Sequence, residues 1–97
     1  MAKGYWITFY RSVSNPDAVA AYAKLAGPAI QSGGGRFLVR GVPTKTYEAG
    51  INMRTVVTEF DSVQQATKTF ESDAYQAACR LLEGAAERDI RIVEGLA

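Results

Sequence analysis

Ninety-seven residues, 47% of them apolar, allow one domain with its own core and leave no room for a second. Eleven basic and ten acidic residues nearly cancel, which excludes the basic surface of a general nucleic-acid or membrane-surface binder. The chain has no histidine, so it lacks the usual acid–base residue near neutral pH and the commonest ligand of zinc, copper and haem.

Tyr5-Trp6-Ile7-Thr8-Phe9-Tyr10 is aromatic and β-branched and reads as a strand. Tyr5, Ile7 and Phe9 point one way, and Trp6, Thr8 and Tyr10 the other. Both faces are bulky, whereas a strand with one wet face alternates with polar residues. One face suits the protein's own helices; a second subunit is the simplest cover for the other.

Asn15-Pro16-Asp17 opens a helix, with Asn15 as N-cap, Pro16 at the first position and Asp17 favourable to the helix dipole. Val19, Tyr22, Ala26 and Ile30 follow at helical spacing. Gly27-Pro28 is expected to kink or break the last turn, and Gly33-Gly34-Gly35 to end the helix. Arg36 to Val42 and Thr55 to Phe60 are the second and third strands, joined by a connection, Pro43 to Arg54, long enough to serve as a lid. Ser62 with Gln65 makes a capping-box pattern before a short helix carrying Ala66 and Phe70. Ser72-Asp73 is a second cap, starting a helix with Tyr75, Ala78, Cys79 and Leu82 on one stripe. Arg88 to Val93 is the last strand.

The single cysteine, Cys79, cannot close an internal disulfide and has no histidine to activate it, so an inert buried thiol is expected. Met1-Ala2-Lys3 leads straight into a strand-like run, and no run approaches the ~18 apolar residues of a membrane span, so a reducing cytoplasm is the expected location.

Few residues carry chemistry. The glycine triplet follows a helix and precedes a strand, the wrong polarity for a phosphate cradle, which needs glycines before a helix N-terminus. The aromatic first strand invites an RNA-recognition reading, but Arg54 to Phe60 lacks the second stacking platform that such a sheet needs. The acidic residues Asp61, Glu71, Asp73, Glu83 and Glu87 read as caps and solvated helix faces, so neither a metal site nor an organic cofactor is expected. Pairing of the second and third strands would bring Arg40, Arg54 and Glu59 near one another. They are either a structural ion pair or an arginine anchor for an anionic ligand beside a carboxyl of raised pKa. Tyr22 and Tyr75 lie on the inward helix stripes and are core residues or the walls of a cleft.

Tyr5-Trp6-Ile7, Tyr22, Pro28-Ala29-Ile30 and the run from Gly34 to Gly41 resemble a bacterial family, domain of unknown function thirteen-thirty. It lies within the dimeric α/β-barrel superfamily. Val56 to Ser62, Ser72 to Gln76, Arg88-Asp89 and Ile92 to Gly95 carry the same resemblance, so it spans nearly the whole chain. The resemblance implies an α+β, ferredoxin-like βαββαβ sandwich: a four-stranded antiparallel sheet with two helices on one face, dimerised through the other face as a barrel. The superfamily includes cofactor-independent monooxygenases, haem-degrading and isomerase-like enzymes and small-molecule sensors. The absent histidine argues against the haem reading. Val42-Pro43 replaces the family's frequent second glycine and alters the following loop.

The expectation is a homodimer with a small-molecule pocket and no nucleic-acid or membrane partner. Glu59 is the candidate acid–base residue, Arg40 or Arg54 the anchor for an anionic or carbonyl oxygen, and Tyr22 and Tyr75 the wall. Cofactor-independent oxygenation or isomerisation is one reading, and a non-catalytic ligand-binding or dimerisation domain the other; fold alone does not choose.

Overall fold

A computed structural model describes residues 2–97. Along the chain run β1 (Gly4–Val13), α1 (Pro16–Ser32), β2 (Arg36–Gly41), β3 (Thr55–Phe60), α2 (Val63–Phe70), α3 (Asp73–Arg80) and β4 (Ala86–Glu94). The strands form one antiparallel sheet in the order β2-β3-β1-β4. The second crossover is two short helices rather than one, so three helices cover the inner face. No helix among the described residues is long and apolar enough to cross a membrane.

The alternation of β1 divides as its sequence implies. Trp6, Thr8 and Tyr10 are buried beneath the helices, while Tyr5, Ile7 and Phe9 face away from them. Trp6 is the centre of the core. Its ring meets Tyr75 edge-on at 4.7 Å between centroids and Phe70 at 5.3 Å, and stacks on Phe60 at 6.1 Å.

The caps show how local chemistry sets the helix ends. Asn15 accepts from the Ala18 amide at 3.3 Å, and Pro16 follows at the first helical position. The helix does not break at Gly27-Pro28 but runs on to Ser32. Pro28 and Lys24, whose carbonyl loses its helical donor, both lie on the exposed side, so the missing bond falls where solvent can replace it. Gly33 caps α1, and Gly34 turns the chain with φ 94°. Ser62 makes only half of a capping box. Its hydroxyl accepts from the Gln65 amide, but the Gln65 side chain donates to the Gly33 carbonyl at 2.7 Å and so ties α2 to the end of α1. The Ser72 hydroxyl accepts from the Tyr75 amide and starts α3.

A bulge in β2 decides where the arginines go. Phe37 pairs with Thr58, Leu38 is the extra residue, and Val39 pairs with Val57. Phe37 therefore faces inward, and Arg40, opposite Val56, does too. Arg36 and Val39 face outward with Glu59 and Val57.

Candidate anion-binding cavity

Helix α1 lies beside α3 and shares the core with Trp6 and Phe60 through Tyr22, Ala26 and Ile30. Between this helix and the inner face lies a cavity of about 300 Å³, lined on the helix side by Ala20, Ala23, Ala26 and Gly27 together with Val19 and Ile30. Trp6, Tyr10, Phe37 and Val56 form its floor, and Arg40, Arg54 and Arg88 supply its only charges. Tyr22 hangs from α1 at one side.

Arg88 and Arg54 are half-buried, whereas Arg40 is exposed. The pairing of β4 with β1 places Arg88 opposite Tyr10 on the inner face. Its Nη1 donates to the hydroxyls of Tyr22 at 3.1 Å and Tyr75 at 3.3 Å, and its Nη2 lies 3.8 Å from the Cys79 sulfur. The guanidinium carbon sits 4.9 Å from the centroid of the Tyr22 ring. The two phenols are themselves joined by a 2.6 Å hydrogen bond. Burial pushes the Tyr75 hydroxyl far above the ordinary tyrosine range, and the neighbouring Tyr22 adds to the shift. Burial likewise raises Tyr22, although the Arg88 charge opposes it. Burial disfavours the Arg88 cation, but the phenol oxygens of Tyr75 and Tyr22 outweigh that, and the net direction is upward. Among the described residues no carboxylate forms an ion pair with Arg40, Arg54 or Arg88.

The residues expected to act together are divided by the sheet. Arg40 and Arg54 reach the cavity with Tyr22. Tyr75, expected as a wall, is fully buried and does not line the cavity; it meets a lining residue only through its hydroxyl contact with Tyr22. Glu59 stands on the opposite face, where it accepts from the Tyr5 hydroxyl at 2.9 Å and from Arg36 Nε at 3.1 Å. Of the two alternatives for Glu59, the carboxyl of raised pKa beside Arg40 and Arg54 is not formed, and the ion pair that is formed is with Arg36. The Tyr5 hydrogen bond, followed by Arg36, holds Glu59 below the usual carboxylate range. Arg36 continues to Asp61 at 3.1 Å, and Lys3 reaches the same carboxylate at 3.6 Å. Cys79 is only partly buried, contrary to expectation, because it borders the Arg88 pocket rather than the centre of the core.

Arg88 is the charged cavity residue that the sequence marks least. Its signal is the alternation Arg88, Ile90, Ile92, a cation at the head of an otherwise apolar inward stripe.

Solved structures share this architecture. The RPA0582 protein of Rhodopseudomonas palustris, of unknown function, superposes with a TM-score of 0.71 at 16% identity, over 99% of this chain and 84% of that one. A dimeric ferredoxin-like protein of unknown function from Thermobifida fusca gives 0.66 at 16% identity, over 95% of this chain and 90% of that one. A candidate antibiotic biosynthesis monooxygenase from Nitrosomonas europaea gives 0.61 at 19% identity, over 97% of this chain and 90% of that one. At these identities the likeness shows the fold, which is the ferredoxin-like α+β sandwich. No curated protein matches the sequence. The family model of a domain of unknown function, DUF1330, matches residues 3–96, and the chain belongs to that family.

Proposed function

We propose that the protein binds a small organic anion in the cavity beneath α1 and acts as a homodimer joined through its outer sheet face. The observation that carries the first part is Arg88. It is a half-buried cation whose side-chain partners are two phenols and a thiol, with no acid among them. Removing a charge from water costs several kcal/mol unless an opposite charge replaces the solvent, and Arg54 and Arg40 add to the positive field rather than relieve it. A carboxylate or enolate entering from solvent supplies the missing partner. In this reading Arg88, Arg54 and Arg40 hold the anion, Tyr22 walls the site, and Tyr75 positions Tyr22 and Arg88.

The homodimer is supported by the outer face, where Phe9, Val39 and Val93 are 37%, 49% and 48% exposed, and by the dimeric state of the Thermobifida fusca relative in fold.

Calorimetric titration with benzoate tests the binding reading. Wild-type protein is expected to bind it with an affinity that weakens as chloride is raised, and Arg88→Gln to lose about tenfold or more. Absence of binding by any small anion, or an Arg88→Gln variant that folds and binds as wild type, overturns it.

One catalytic reading fits the same residues. A phenol or enol acidic enough to bind as its anion would be stabilised by the arginines and left electron-rich toward molecular oxygen. The candidate monooxygenase among the relatives in fold lends this a precedent at the level of architecture only. The isomerase reading has less support, because it needs a base and the candidate for that role, Glu59, lies across the sheet. Oxygen uptake measured over a panel of enols decides: consumption above that of Arg88→Gln is expected if the oxygenase reading holds, and none removes it.

A further inference from the structure

We infer that the cavity takes an aryl carboxylate held in one direction, its carboxylate at the Arg88–Tyr10–Arg54 end and its apolar body toward the Trp6–Phe37 end. This rests on the anion-binding reading above and narrows it to a ligand class and a pose.

The direction follows from sheet register. Tyr10 pairs with Arg88 across β4, and its amide donates to the Arg54 carbonyl at 3.0 Å across the start of β3. One cross-strand row of the inner face thus reads Arg54, Tyr10, Arg88. Two residues back along β1, Thr8 lies opposite Val56 and Ile90, and Val56 lies opposite Arg40. Two further back, Trp6 lies between Thr58 and Ile92, and Thr58 lies opposite Phe37. Charge therefore falls from two cations to one to none over two row spacings, about 13 Å at ordinary strand rise. A ligand with one charged end and an apolar body has only one favourable orientation along this gradient.

Size and lining follow from the two walls. The floor is aromatic and β-branched, and the α1 side sets Val19, Tyr22 and Ile30 among alanines and Gly27, so the body of the ligand meets a largely apolar lining. A volume of about 300 Å³ is at the small end for ligand cavities and suits a body of one or two rings. The head group is a carboxylate on chemical grounds, because guanidinium presents paired N–H groups in a plane that a carboxylate matches. Arg88 and Arg40 are both held against aromatic rings, of Tyr22 at 4.9 Å and Phe37 at 4.6 Å, which restricts their planes before any ligand arrives.

The test uses the intact protein and four probes: 2-naphthoate, 2-naphthamide, acetate and inorganic phosphate. Trp6 is the only tryptophan and lies in the floor, so its fluorescence reports where the rings settle. Naphthoate is expected to quench Trp6 and to bind at least about tenfold more tightly than the other three by calorimetry. Arg54→Gln is expected to weaken naphthoate and acetate alike, whereas Ala23→Leu, on an exposed helical position and compatible with the helix, should weaken naphthoate more than acetate. Acetate or phosphate binding as tightly as naphthoate overturns the aryl body while leaving the anion site standing. Naphthamide binding as tightly as naphthoate overturns the carboxylate. If none of the three anions binds, the anion-binding reading itself fails.

Discussion

At the scale of single residues, the sheet separates two sets of charges that the sequence places close together. Arg54 and Glu59 are an odd number of positions apart on one extended segment, so they must face opposite ways, and strand alternation alone would have said so. Arg40 is different. Counting from Arg36 by twos puts both on one face, and only the extra residue at Leu38 sends them to opposite sides. Bulge position depends on pairing across β3, which the local sequence does not record. The consequence is an outer cluster stabilised by ionised acids and an inner cluster stabilised by neutral phenols. Hydrogen bonds from Tyr5 and Arg36 depress Glu59, and Arg36 depresses Asp61. Their stabilising effect is present above their unfolded-state values and is lost as pH falls through the lower folded ones. Urea midpoints should therefore decline below about pH 4.5, and Glu59→Gln should flatten that decline. Tyr22 and Tyr75 behave oppositely: with folded-state values raised, they remain neutral while the unfolded chain ionises above about pH 10. Stability should fall as pH rises past that point, less steeply in Tyr75→Phe. At neutral pH Tyr75→Phe should cost about 1–2 kcal/mol, since Arg88 and Tyr22 each lose a buried partner. Unfolding midpoints measured across the pH range check both limbs.

At the scale of elements, helix starts were legible because each is written in a few adjacent residues: Asn15-Pro16, Ser62 and Ser72 all cap where their side-chain chemistry says they should. The expected break at Gly27-Pro28 failed because the cost of an interior proline depends on what surrounds the freed carbonyl, and that is a tertiary fact. The glycines around this helix separate by the same logic. A methyl added at Gly27 meets nothing within 4 Å, so Gly27→Ala should stabilise by about 0.5–1 kcal/mol through helix propensity. A methyl at Gly35 would lie 2.6 Å from Ile30 Cγ2 and 2.8 Å from Phe60 Cζ, both in the core, so Gly35→Ala should destabilise by about 1–3 kcal/mol. Equilibrium unfolding of the two variants should move in opposite directions. Because Gly27 also roofs the cavity, the stabilised variant doubles as a probe of how much space a ligand needs there.

At the scale of the whole molecule, the two faces of one sheet differ in what covers them. The element order was visible in the sequence because each strand has its own β-branched or aromatic run, and the two-sided bulk of β1 pointed to a second covering layer. The cavity was not visible, because its walls come from α1 and from all four strands, elements far apart in sequence. The outer face carries Val39, Val57 and Ile7 in one cross-strand row that ends in Arg91 on the edge strand β4, between the Glu59–Tyr5–Val93 row, where Lys3, Arg36 and Asp61 gather, and the Thr55–Phe9–Asp89 row. An apolar centre with charged margins is the anatomy of a self-complementary interface, since a two-fold axis brings each patch onto its own copy. A carboxylate placed at the middle of that patch would lose its water in both subunits of the proposed dimer. Val57→Asp is therefore expected to convert the dimer to monomer at micromolar concentration, read by sedimentation velocity, whereas the wild type should sediment as twice the chain mass. Val57 points away from the cavity, so the monomeric variant should still bind naphthoate with an affinity close to that of wild type. Wild-type protein sedimenting as a single chain would remove the dimer. A Val57→Asp monomer that remains folded but no longer binds anions would show that the arginine cavity is completed by the second subunit rather than by α1 alone.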